Sequence, residues 1–107
     1  MTHERPSTKK FRLQSFPALQ ELLPAYLHED FNEEYGSATK AFEEMLSDSD
    51  PTQTRHILQE WKELRSVFSG HPISEIQSAL VTLGGAWHPQ SEQDLQAVDE
   101  ILSRAEP

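Results

Sequence analysis

The segment 51–69 constrains the fold most, because its apolar residues recur at three- and four-residue spacing over several helical turns. Asp50 followed by Pro51 is typical of a helix start, since an acidic side chain caps the first turn and proline is tolerated there. Gly70 can adopt the left-handed conformation that ends a helix. We therefore predict a long central helix whose buried face consists of Ile57, Leu58, Trp61, Leu64, Val67 and Phe68.

Shorter helical patterns occupy the rest of the chain. We predict a first helix that begins near Ser15, ends around Asp30 and is kinked or divided by Pro24. Ser37 is predicted to cap a second helix, and Ser91 a last one. Together with the central segment, these patterns place helices along most of the chain.

The sequence also predicts a helix between the central and the last one, opened by a capping box of Ser74 and Gln77. Strand signals are absent, since we find no alternating β-branched run and no Asn-Gly or Asp-Gly turn. The predicted fold is all-α, a compact bundle of five to six short helices without a sheet. Residues 1–14 are predicted to be a flexible basic arm, and residues 15–107 a single helical domain.

Composition limits the function as well as the fold. Of the formal net charge of −9, the first 12 residues contribute +3, so the remainder carries −12, which disfavours direct binding to nucleic acid. The chain has no cysteine and no apolar stretch long enough to span a bilayer. Because no apolar run follows the basic N-terminal residues, we expect no signal peptide. We expect a cytoplasmic protein whose acidic charge serves solubility, or recruits a basic protein partner.

Motifs for catalysis and metal binding are incomplete. His28-Glu29 begins the zinc-protease pattern H-E-x-x-H, but Asn32 stands where the second histidine is required. Glu33 and Glu34 could act as acid and base only in a pocket that raises one pKa, and no nucleophile or phosphate-loop motif is present. We therefore predict no enzyme activity, no metal site and no cofactor. The alternative is a small hydrolase or metal protein that uses His28 and the carboxylates.

Four carboxylates lie within positions 29–34, bracketed by Tyr26, Phe31 and Tyr35. Such a patch is a plausible docking surface for a basic partner, because aromatic side chains anchor interfaces and opposite charges attract. Trp61 belongs to an apolar helical face and is predicted to be core, whereas Trp87 either plugs the end of the bundle or contacts a partner. The predicted partner-binding residues are Glu29, Asp30, Glu33, Glu34, Asp48, Asp50 and Trp87.

Three short segments carry a resemblance to a known family: FPAL at 16–19, YLHEDF at 26–31 and EYGS at 34–37. The pattern resembles that of small helical immunity proteins of bacterial contact-dependent growth inhibition systems. The resemblance covers roughly residues 16–104 and continues more weakly in Leu83-Gly84, Trp87 and Pro89. The residues that match the family motif are Tyr26, His28, Phe31, Tyr35 and Gly36, with phenylalanine at position 31 where the family often has tryptophan.

The resemblance implies an immunity protein that binds the C-terminal toxin domain of a surface-delivered effector in a 1:1 complex. Such toxins are often nucleases, including tRNases, with basic clefts that an acidic inhibitor can cover. The family motif either contacts the toxin or only packs the first helix on the second. The alternative function is a helical protein–protein adaptor or regulator without a toxin partner.

Overall fold

The computed structural model describes residues 9–106, and they form an all-α bundle, as predicted. A single 3-10 turn, Leu13–Ser15, precedes the helices, and no strand occurs in the described range. The six helices are α1 (Pro17–Tyr26), α2 (Phe31–Tyr35), α3 (Ala38–Asp48), α4 (Pro51–Val67), α5 (Ile73–Thr82) and α6 (Glu92–Arg104).

The predicted central helix is present as α4, and its apolar face packs against α1. Helix α3 contacts α1, α2 and α6, so it lies between the first and the last helix. Phe42 of α3 is fully buried, with its ring centroid 5.6 Å from that of Trp61 and 5.5 Å from that of Trp87. These edge-to-face contacts join α3, α4 and the loop before α6 in one core.

The first helical segment divides at a different place from the one predicted. Pro24 lies inside α1, which ends at Tyr26 and not around Asp30, and α2 follows as a separate short helix. Leu27 is fully buried between them, and its carbonyl accepts a hydrogen bond from the Ala86 N–H, 2.6 Å away. Helix α1 therefore ends where Leu27 is buried and where its carbonyl bonds to the loop before α6 instead of to a further turn of helix.

The predicted helix starts are partly confirmed. Ser37 and Asp50 accept from backbone N–H groups of the first turns of α3 and α4, as expected of caps. The capping box at Ser74 is wrong, because α5 already begins at Ile73 and has no side-chain cap. Pro72 precedes it with a fixed φ of −57°, close to the helical value, which lets the helix start earlier.

Helix α6 begins after Ser91 as predicted, but the serine side chain does not cap it. Instead Asp94 Oδ2 accepts from the Gln90 N–H at 2.8 Å. An acid in the first turn thus satisfies a backbone donor just before the helix, as the third residue of a capping box does.

A buried carboxylate from α4 caps α1. Glu60 is only 8% exposed, and its two oxygens accept from the backbone N–H groups of Ala18 (3.1 Å) and Leu19 (2.9 Å). These donors belong to the first turn of α1, where no helical carbonyl can serve them. The negative charge also lies at the positive end of the α1 dipole, so one side chain fixes the α1–α4 packing.

Residues 1–8 of the predicted basic arm lie outside the described residues. Of the rest of the arm, Phe11 packs against Phe16 and Phe68, with ring centroids 5.4 and 5.8 Å away, and Leu13 is 38% exposed. Among the helices of residues 9–106, none is long and apolar enough to cross a membrane.

Candidate partner-binding surface

The family-motif residues fold into one local cluster around α2. The Tyr26 and Tyr35 rings stack with centroids 6.1 Å apart, and the His28 ring lies 6.3 Å from Tyr35. His28 Nδ1 accepts from the Asp30 N–H at 3.1 Å, while Nε2 lies 2.7 Å from Glu34 Oε2. Each polar contact of His28 is therefore internal, which favours the packing role of the motif.

The two ends of α2 are fixed by its sequence. Phe31 opens the helix and is buried in the core. Gly36 ends it with φ of +90°, a left-handed conformation that side chains other than glycine rarely adopt. The helix thus stands as a short ridge whose solvent side carries only polar residues: Asn32, Glu33 and Glu34.

Two tyrosines adjoin carboxylates at this edge of the molecule. The Tyr26 hydroxyl donates to Asp48 Oδ2 at 2.7 Å, and this bond, with burial and nearby negative charge, raises the pKa of Tyr26 to about 12. Burial, followed by the neighbouring carboxylate of Glu34, also raises the pKa of Tyr35. Both phenols are therefore neutral at physiological pH, and Tyr26 ties α1 to the end of α3.

The predicted acidic residues have no lysine or arginine partner in the described range, although Glu34 contacts His28. Glu29, Asp30, Glu33, Glu34, Asp48 and Asp50 are all exposed, and we call this set the acidic surface. Across residues 9–106, no lysine or arginine forms an ion pair with any of them. Asp48 and Asp50 have internal roles, as acceptor for Tyr26 and as cap of α4, whereas Glu29 and Glu33 have none.

The ion pairs of the lysines and arginines in the described range involve α4, α6 and the residues that flank the helices. Arg65 of α4 binds Glu92 and Asp99 of α6, and its pKa is raised because these bonds outweigh the effect of partial burial. Lys62 pairs with Glu106, and Lys9 with Glu63 at 3.6 Å. Intramolecular neutralisation by lysine and arginine is thus concentrated on α4 and α6, and in the described range it does not involve the carboxylates of the acidic surface.

Helix α3 adds two exposed carboxylates beside α2. Glu43 and Glu44 line a shallow depression of about 390 Å³ together with Glu34 and Tyr35. Lys40 lines the same depression without an ion pair to any carboxylate of the described chain. The packing of α2 on α3 brings these glutamates beside Glu34.

A second depression lies on the opposite flank of α2. This groove, of about 490 Å³, is bounded by α2, the start of α3, the loop 86–90 and the start of α6. We call it the α2 groove, and its lining includes Phe31, Asn32, Thr39, Trp87, His88 and Asp94.

Trp87 belongs to the core more than to the surface. It is 8% exposed and its ring packs edge-to-face against Phe42, so most of the indole belongs to the core. Only a small part of the indole reaches solvent, at the α2 groove. Trp61 is core as predicted, with its Nε1–H donating to Asp99 Oδ1 at 2.6 Å.

Other chemistry finds little support in the described part of the chain. No group of three or more His, Cys, Asp or Glu side chains could hold a metal ion there. Comparison with protein-family models, curated proteins and solved structures found no match. The acidic surface and the two depressions beside α2 are therefore the features from which a function must be argued.

Proposed function

We propose that this protein is an immunity protein that binds and neutralises the C-terminal toxin domain of a contact-dependent growth inhibition effector. The toxin in this proposal is a basic nuclease domain, with tRNases among the candidates, and the complex is 1:1. The protein catalyses no reaction itself and acts from the cytoplasm. The observation that carries the proposal is the acidic surface, whose carboxylates have no lysine or arginine partner within residues 9–106.

Electrostatics explains why such a surface suits this role. Nuclease clefts carry positive charge because they bind phosphate backbones, and an acidic inhibitor is attracted to them over a distance of about a Debye length, roughly 8 Å at physiological ionic strength. Carboxylates already neutralised by the chain's own cations could not act in this way. Glu29 and Glu33 are free of both cations and hydrogen-bond partners in the described range, so they lose no internal contact when a partner binds.

The decisive experiment is co-purification with the toxin domain encoded directly upstream of this gene, followed by a nuclease assay with and without the protein. We expect a stable complex and loss of nuclease activity at equimolar protein. Absence of binding would refute the proposal and leave the helical adaptor or regulator as the alternative.

A double charge reversal tests the contact surface. We expect Glu33→Lys with Glu34→Lys to slow association with the toxin domain by about tenfold or more, because steering by opposite charge is lost. The matched control is Glu63→Lys with Glu100→Lys, which changes net charge equally on α4 and α6. Equal association rates for both double variants in stopped-flow measurements would place the interface elsewhere.

A further inference from the structure

We infer that the α2 groove holds an extended, arginine-bearing loop of the partner, and that the Trp87 indole donates to a main-chain carbonyl of that loop. The identity of the partner rests on the proposed function; the chemistry of the groove does not. The inference makes the α2 groove, and not the carboxylates alone, the anchor of the complex.

The unpaired indole N–H of Trp87 is the first observation. Trp87 is more than nine-tenths buried, yet its Nε1 donates to no group within residues 9–106. Every fully buried side-chain nitrogen or oxygen there has a hydrogen-bond partner, so this N–H must reach solvent, and the α2 groove is the depression that Trp87 lines. A donor held rigidly by the core and open to a groove fits a carbonyl oxygen of a ligand.

Charge gives the second observation. Neither a lysine nor an arginine lines the α2 groove. Asp94, at its α6 wall, uses Oδ2 for the Gln90 N–H, while Oδ1 accepts no hydrogen bond from the described residues. Asp94 is the one carboxylate among the residues that line the groove, and Asn32 and His88 lie along the same lining. A cation that enters the groove therefore meets the Asp94 carboxylate at the α6 wall.

Arginine suits this groove better than lysine. Its aliphatic stem can lie on the apolar floor formed by Phe31 and Trp87, while its guanidinium remains at the rim. The guanidinium is planar and weakly hydrated, so it loses less hydration than an ammonium when partly enclosed. It also offers several donors in a fixed fork, which matches a carboxylate at one wall and the amide oxygen of Asn32 at the other.

The groove between α4 and α6 provides the contrast within the same molecule. It contains the other tryptophan, Trp61, but that indole is already bonded to Asp99. Its charged lining is balanced, because Lys62 pairs with Glu106 and Arg65 with Asp99. The two tryptophans thus form a matched pair, one with a free indole donor and one whose donor is already bonded.

Nuclear magnetic resonance can observe both indoles at once, because the chain has two tryptophans. Titration of ¹⁵N-labelled protein with the upstream-encoded toxin domain should shift the Trp87 indole resonance and leave that of Trp61 in place. The resonances are assigned with Trp87→Phe and Trp61→Phe. A synthetic arginine-glycine repeat peptide is the second probe, with a glutamate-glycine repeat of equal length as its control.

Affinity measurements use a matched pair of groove variants. Asn32→Arg places the chain's own guanidinium in the α2 groove and should weaken toxin binding by tenfold or more. Ser103→Arg adds the same charge at an exposed position of the other groove and should leave the affinity within about twofold, as expected for a charge far from the interface. Trp87→Phe should weaken binding by about twofold to tenfold, the loss of one hydrogen bond.

The outcomes separate the two proposals. If the toxin domain binds but the Trp87 indole does not shift and Asn32→Arg binds normally, the groove inference is overturned and the immunity function stands. If the toxin domain does not bind, the proposed function fails, and the peptides alone test the groove. In that case, a shift of the Trp87 indole resonance with the arginine-glycine peptide, and not with the glutamate-glycine peptide, supports the groove inference. The absence of a shift with either peptide overturns it.

Discussion

Replacing Glu60 by alanine should destabilise this fold more than any other single carboxylate substitution on α4. The side chain is buried, and it serves two backbone donors of α1 across the α1–α4 interface. Alanine leaves both N–H groups without a partner in a place that is closed to water. The same change removes a negative charge from the positive end of the α1 dipole.

The magnitude follows from these losses. A buried donor left unsatisfied costs about 1–3 kcal/mol, and removal of a helix cap costs about 0.5–2 kcal/mol, two partly overlapping estimates. Relief from burying a carboxylate offsets part of this. We expect the free energy of unfolding to fall by about 3 kcal/mol, and, with an unfolding entropy of about 2.1 cal/mol/K per residue, the Tm to fall by about 13 °C. The stability of Glu60→Gln should lie between those of the unchanged protein and Glu60→Ala, because the glutamine amide has one acceptor oxygen and can accept only one of the two hydrogen bonds.

Urea unfolding monitored by circular dichroism measures the effect, with Glu63→Ala as the control. Glu63 lies on the same helix and carries the same charge, but it is half exposed and its pair with Lys9 is long, at 3.6 Å. Exposed pairs of this kind contribute about 1 kcal/mol or less. If Glu60→Ala is no less stable than Glu63→Ala, the buried carboxylate does not hold α1 in place and the reasoning is refuted.

Two further expectations concern a phenol and two glycines. Because the folded state keeps Tyr26 protonated, with its pKa raised from 10.0 to about 12, the free energy of unfolding should fall as pH rises through this range. Asp48→Asn should return the Tyr26 midpoint toward 10.0, measured by tyrosinate absorbance, whereas Asp50→Asn should not; equal midpoints would contradict the Asp48 bond as the cause. Gly84→Ala should destabilise the protein by about 1–3 kcal/mol more than Gly36→Ala, because both glycines have positive φ but only the Gly84 methyl meets a proline ring, at 3.3 Å. Equal losses in urea unfolding would show that this contact relaxes freely.

Features encoded within a few residues were predictable from the sequence. Asp50 and Ser37 cap their helices as expected, and Gly36 and Gly70 adopt left-handed conformations after helices end. The apolar spacing of α4 identified its buried face, including Trp61. The predicted capping box at Ser74 was wrong for a local reason. Pro72 has a φ close to the helical value, and α5 begins directly after it, one residue before the serine.

Features that depend on distant partners were not predictable in the same way. Glu60 lies at helical spacing from Ile57 and Leu64, so an acid on an apolar face was a visible signal, but its partners are 41 and 42 positions away. Whether the indole N–H of Trp87 has a hydrogen-bond partner likewise depends on how the loop before α6 packs on the bundle.

The sequence by itself determined that this chain is helical, where most of its helices begin and end, and that its charge is negative. Those properties follow from hydrogen bonds and side-chain periodicities that span three or four residues. The tertiary structure decided that Glu60 caps α1, that Glu43 and Glu44 join Glu34, and that one tryptophan keeps its donor free. Such contacts depend on how helices cross, and crossing is set by the packing of whole faces and not by any short segment.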